Sequence, residues 1–117
     1  MTEKKTIKKP WGHEIIWAET KDYVGKLLYI KSGHKLSLQY HQIKEETIMV
    51  VSGALKLYYG ENKEKLSEKK LKVGDNFHVK PNLIHRFSAE YGDVELVEVS
   101  TPHLKDVVRL EDDYNRS

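Results

Sequence analysis

The sequence predicts an all-β domain, an antiparallel sandwich or barrel, from three observations. Period-two runs rich in β-branched and aromatic residues recur along the chain, turn residues separate them, and only the stretch 61–70 offers a weak helical pattern. In order, the predicted strands are 13–17, 26–30, 35–41, 47–51, 54–59, 76–79, 85–89 and 94–99. The turns fall at Ser32-Gly33, Ser52-Gly53, Gly60, Gly74-Asp75, Pro81-Asn82 and Gly92-Asp93. Strands spaced by about 8 to 12 residues are the pattern of sandwiches and barrels.

Composition bounds the function classes. The chain has 117 residues, 20 Lys+Arg against 18 Asp+Glu, no Cys and a mean hydropathy of -0.66, as expected for one soluble domain spanning 1–117. A domain of this size buries roughly two-thirds of the surface its unfolded chain exposes, enough for a core without disulfides. The absence of Cys excludes thiol catalysis and Cys-based zinc sites. No apolar run approaches the roughly 20 residues that span a bilayer, and the Lys-rich start lacks the apolar stretch of a signal peptide. A cytoplasmic protein with no membrane partner is expected. The net charge of +2 arises from interleaved charges, a solvated surface rather than a nucleic-acid stripe.

The run 35–41 alternates Lys35, Ser37, Gln39 and His41 with Leu36, Leu38 and Tyr40, so one face is polar and the other apolar. Taken alone it reads as an edge strand with its polar side in water. Spacing elsewhere argues differently. Gly33, Gln39, His41, Glu46 and Gly53 resemble the first cupin motif, G-x5-H-x-H-x4-E-x6-G, at every spacing, with Gln39 in place of the first His. Gly74 and His85 stand eleven apart, as in the second cupin motif. There Lys80 and Asn82 replace the usual Pro and Gly, and Ala89 replaces the usual Asn. The resemblance implies a small antiparallel cupin barrel of the double-stranded β-helix or jelly-roll type, with Gln39, His41, Glu46 and His85 as metal ligands. One divalent transition ion per chain is expected, zinc first, with iron, manganese, cobalt or nickel as alternatives. The residues alone leave open that these are polar interior side chains of a barrel that holds no metal. His13, His34, His78 and His103 have no such motif support and read as surface or strand histidines.

A narrower resemblance spans about 9–116. Lys9-Pro10-Trp11-Gly12-His13-Glu14 looks like the K-P-W-G-x-x-E opening of the type II phosphomannose isomerase domain of bifunctional mannose-1-phosphate guanylyltransferases. Leu36-Ser37-Leu38-Gln39-Tyr40-His41 resembles its L-S-L-Q-x-H signature, Val50-Val51-Ser52-Gly53 its V-V-S-G, and Asp106-Val107-Val108-Arg109 the start of its D-I-x-R ending. Lys44 stands where the family carries Arg, keeping the cation but losing the planar fork that grips phosphate.

The resemblance implies a metal-dependent sugar-phosphate isomerase that interconverts mannose 6-phosphate and fructose 6-phosphate. In such a reaction a proton moves between C2 and C1. Arg109 is the candidate donor to the developing oxyanion and Glu14 the candidate base. Lys9, Lys44, Arg86 and Arg116 are candidates to hold the phosphate or the hydroxyls. A non-catalytic metal cupin that binds a sugar or sugar phosphate is the alternative. An oxygenase is disfavoured because Gln39 breaks the usual three-His-one-Glu set. The residues Trp11, Trp17, Tyr29, Tyr40, Tyr58 and Tyr59 read as packing before sugar stacking. The alternating Leu55, Leu57 and Tyr59 mark a half-buried strand whose apolar face is a candidate surface for the homodimer expected of small cupins.

Overall fold

The computed structural model describes residues 3–114, and their regular structure is strand alone. Eleven strands follow in order: β1 (Lys5–Lys9), β2 (Gly12–Glu19), β3 (Val24–Ile30), β4 (Leu38–Tyr40), β5 (Glu46–Ser52), β6 (Leu55–Gly60), β7 (Ser67–Leu71), β8 (Asn76–Val79), β9 (Ile84–Ser88), β10 (Val94–Ser100) and β11 (Val108–Glu111). They form two sheets, a six-stranded one in the order β1-β2-β3-β10-β5-β8 and a five-stranded one in the order β11-β4-β9-β6-β7. Every pairing is antiparallel. Among the described residues no helix is long and apolar enough to cross a membrane.

The two sheets face each other, and inward residues of both build one core that includes Leu28, Ile30, Ile48, Val50, Leu55, Leu57, Phe87, Val94 and Leu96. Burying each of these side chains is worth about 1.5–3 kcal/mol against leaving it in water. Leu55 and Leu57 are fully buried there, so the face proposed from their alternation as a dimer surface belongs to the core instead. The apolar side chains left exposed lie elsewhere. Ile15, Leu27, Val97 and Met49 make one cross-strand row on the outer face of the six-stranded sheet, with Leu27 and Met49 exposed and Ile15 and Val97 half-buried.

Three elements differ from the sequence expectation. The 61–70 stretch is a turn followed by β7, because pairing with β6 sets Leu71 opposite Leu55 in the core, and that burial outweighs the helical leaning of its Glu and Lys residues. The Lys-rich β1 is an edge strand, where exposed lysines oppose pairing with other chains. The run 35–41 shortens to β4, with an isolated bridge between Lys35 and Ser88. It is no edge: β4 lies between β11 and β9.

The turns obey local sterics. Gly53 has φ of 78°, and a Cβ there would sit 2.2 Å from the Asp93 carbonyl oxygen. Asn82 takes the left-handed conformation at φ 69°, which keeps the turn that the usual Gly would make. Its N–H donates to the His41 carbonyl at 2.6 Å, joining the two motif regions.

Candidate metal centre and its cavity

Register explains how distant residues meet. In the five-stranded sheet Arg109 is opposite Gln39, and Gln39 is opposite His85, so these three side chains share one inward face. His41 follows two residues after Gln39 and falls on the same side. From the facing sheet, Glu46 at the start of β5 completes the group. One ligand atom from each of His41, Glu46 and His85 lies within 4.8 Å of the others, and all three residues are buried.

The protons on the two imidazoles are assigned by their partners. His41 Nδ1 lies 2.6 Å from the Asp106 carbonyl oxygen and His85 Nδ1 lies 2.9 Å from that of Leu83. A carbonyl only accepts, so each Nδ1 carries hydrogen, and whenever the ring is neutral its lone pair is at Nε2. Both Nε2 atoms face the same carboxylate oxygen, Glu46 Oε1, at 2.9 Å from His41 and 3.5 Å from His85. Three acceptors converging on one another repel unless a cation, proton or metal, lies among them. This orientation by main-chain carbonyls is the arrangement that metal-ligating histidines adopt. The donor set therefore fits a divalent transition ion.

Gln39 lines the same cavity. Its amide nitrogen donates to Ser37 Oγ at 2.8 Å, which leaves the amide oxygen for a cation or a substrate hydroxyl.

A buried chain of alternating acidic and basic side chains runs along the wall of the six-stranded sheet. Glu46 Oε2 is 4.0 Å from Lys44 Nζ, and Lys44 is 3.2 Å from Glu98. Lys26 is the cross-strand neighbour of Glu98 and lies 3.5 Å from Glu14, which is 3.8 Å from Lys9. Burial works against ionising Glu46, but in the absence of a metal the hydrogen bonds it accepts when His41 and His85 are protonated at Nε2, together with the Lys44 charge, outweigh it and hold its carboxyl well below the ordinary range. Burial likewise disfavours charge on Lys44, yet Glu98 and Glu46 raise its pKa. Glu98 goes the other way: burial, then the Glu46 charge, pushes it up to about 8. A carboxyl in that range can give or take a proton near neutrality.

The cavity has a volume of about 410 Å³. Six cations border it (Lys9, Lys26, Lys44, Arg86, Lys105 and Arg109) against three carboxylates, Glu14, Glu46 and Glu98. The excess of positive charge favours an anionic ligand.

Not every predicted site residue is disposed as the sequence suggested. Lys44, expected at a substrate phosphate, is only 6 % exposed and clamped by two carboxylates. Arg86 spends its guanidinium on the main-chain oxygens of Leu36, at 2.8 Å, and Glu111, at 3.2 Å. Glu14, expected as a base, is held between Lys9 and Lys26. Arg116 lies outside the described residues. Conversely, Glu98, Lys26 and Lys105 were not singled out. Glu98 had a legible signal, since alternation in 94–99 puts it on the face of Val94 and Leu96, an inward position for a carboxylate. Lys26 shares a face with Leu28 and Ile30 in the same way. Lys105 had none, being an ordinary lysine in a loop.

Known structures share this fold. CapF, the capsular polysaccharide assembling protein from Staphylococcus aureus, superposes with a TM-score of 0.80 at 16% identity, covering 95% of this chain and 33% of CapF. KdgF from Halomonas sp. does so with a TM-score of 0.72 at 19% identity, over 86% of this chain and 88% of KdgF. Oxalate decarboxylase from Bacillus subtilis gives 0.79 at 14% identity, over 92% and 30%. The chain thus spans about a third of the length of CapF and of oxalate decarboxylase. No curated protein matches the sequence. These neighbours are cupins, and the present architecture is a cupin barrel. The pattern described as mannose-6-phosphate isomerase C-terminal matches residues 1–112, and the chain belongs to that family.

Proposed function

We propose that the protein is a metal-dependent sugar-phosphate isomerase that interconverts mannose 6-phosphate and fructose 6-phosphate. The observation that carries this reading is the convergence of two Nε2 lone pairs and the Glu46 carboxylate inside a cavity with an excess of cations. Family membership supports it.

In this reading His41, His85, Glu46 and the Gln39 amide oxygen hold one divalent ion. Zinc is the first choice, with iron, manganese, cobalt or nickel as alternatives. When bound, the ion supplies Lewis acidity toward the substrate oxygens. The chain does the rest. Arg109, beside Gln39 on the same inward face, donates hydrogen bonds to an oxygen that gains charge. Lys105 and Lys9 border the cavity and hold the phosphate as point charges. Lys44 and Arg86 are positioning residues, given their committed partners. The buried wall around Glu98 excludes water from the reacting carbons. A cytoplasmic setting suits a substrate of this kind.

The test pairs elemental analysis of purified wild type and His41→Ala with a coupled assay for the two hexose phosphates. About one ion per chain in the wild type, lost in the variant, with turnover that follows the metal, is the expected result. Metal without turnover transfers the protein to the second reading, a cupin that binds a sugar phosphate without converting it. No metal after supplementation overturns the ligand assignment.

A further inference from the structure

Asp106 begins the last sequence block, and its side chain has no part in the function described so far. Its carboxylate accepts hydrogen bonds from three successive main-chain amides: Gln42 on Oδ1 at 3.1 Å, and Ile43 and Lys44 on Oδ2 at 2.6 and 2.8 Å. Its main-chain carbonyl accepts the His41 Nδ1–H at 2.6 Å. The fourth amide of the loop, Glu45, donates to Thr101 Oγ1 at 3.1 Å, and the Thr101 N–H returns a bond to the Glu45 carbonyl at 3.0 Å. Every amide between His41 and Glu46 is thereby tied to the strap 101–106.

That loop separates two residues of the candidate metal centre by only four positions in sequence, and they must converge on one point. A four-residue turn left to water would sample many conformers, each with a different distance between His41 Nε2 and Glu46. The Asp106 carboxylate selects one of them. Its carbonyl selects the imidazole tautomer with Nε2 bare. The same residue thus sets both the separation of the pair and the tautomer of His41.

We propose that Asp106 is a positioning residue that pre-organises the metal centre, its side chain holding the His41–Glu46 loop and its main chain orienting the His41 ring. The proposal rests on the metal reading above. It carries a consequence beyond that reading. The strap that bears Asp106 also brings Leu104, Lys105 and Val107 to the cavity, so one clasp ties the substrate wall to the ligand loop.

Asp106→Asn tests it in the full chain. The variant keeps the shape and the main-chain carbonyl but turns one acceptor oxygen into a donor facing amides that also donate. Two quantities are measured: Co(II) affinity by visible titration, and in metal-free protein the ¹⁵N shifts of the His41 imidazole, which report its tautomer. The expected result is Co(II) binding weaker by about 10- to 100-fold, the usual size of an outer-shell effect, together with a mixed tautomer at His41. A lowered melting temperature with wild-type affinity and wild-type imidazole shifts means that Asp106 only braces the fold, and overturns the proposal. If Asp106→Asn does not fold, Thr101→Val loosens the same strap at Glu45 and must show both changes at smaller size; wild-type values there overturn the proposal equally. A wild type that binds no Co(II) removes the metal reading, while the imidazole shifts still decide whether Asp106 sets His41.

Discussion

Two layers of the same barrel, one step apart along the same strands, differ in character. In one, Leu28 of β3, Leu96 of β10 and Val50 of β5 stand opposite each other and are buried as apolar core. In the next, Lys26 and Glu98 occupy the equivalent inward places and are as deeply buried, at 8 % and 3 % exposure. The facing sheet repeats the change, with Phe87 and Leu57 in one row and His85, Gln39 and Arg109 in the other. Burial alone therefore does not define the core. The apolar layer gains free energy from leaving water, whereas each charge in the polar layer costs free energy to bury and is retained only by its neighbours. The polar layer is where the barrel surrenders stability for chemistry.

Removing one member of the polar layer should have the largest effect. Lys44→Met leaves Glu46 and Glu98 facing each other without their cation, and a loss of about 3–5 kcal/mol is expected from urea unfolding of metal-free protein. Divalent metal should restore part of it, because the ion neutralises Glu46 in turn. Loss without metal rescue would separate Lys44 from the centre. Leu96→Ala in the apolar layer is expected to cost about 2–5 kcal/mol through lost burial and a cavity. Its Co(II) affinity, measured on the folded fraction, should stay at the wild-type value; a change there would mean that the layers are coupled.

Converting the layer is a sharper comparison than breaking it. The double variant Lys44→Met/Glu98→Leu removes the buried pair with apolar residues, and its stability should return to within about 1–2 kcal/mol of wild type or exceed it. Stability as low as that of the single Lys44 variant would show that the charges are held by more than each other.

The polar layer also makes stability depend on pH. The folded protein retains the Glu98 proton up to about pH 8, while the unfolded chain releases it near 4.5. Stability from this group is thus complete below the unfolded value and is lost as pH rises through 8. Asp106, lowered to about 2 by the Lys44 and Ile43 amides, acts in the opposite sense, and its contribution disappears as pH falls below the ordinary 3.8 toward 2. Melting temperatures of metal-free protein should decline from pH 5 to 8, and Glu98→Gln should flatten that decline. An unchanged slope in the variant would assign the effect to another group.

How much of this was legible in the chain varies by element. The strands 26–30, 47–51, 76–79 and 94–99 follow from runs of β-branched, aromatic and period-two apolar residues bounded by turn residues. The strands β1, β7 and β11 escaped because their residues are charged or mixed, and an edge strand can leave most side chains in water. The metal candidates were visible through the resemblance of their spacing to the cupin motifs, which survives in the sequence as counted residues. The Glu98–Lys44–Lys26 wall was not, because its members come from β10, β3 and the loop before β5 and have no common spacing.

The sequence by itself determined the all-β class, the turns at Gly53 and Asn82, and the set of side chains that share each strand face, all consequences of local sterics and period-two geometry. Tertiary structure alone decided which polar face turned inward. Gln39 and His41, readable as the wet side of an edge strand, line the cavity because β4 is held between β11 and β9 in a sheet whose polar face is turned toward the six-stranded sheet. It also decided that Lys44 and Arg86 are spent on protein partners, since the worth of a charge depends on what faces it across the fold, a quantity that no local stretch of sequence contains.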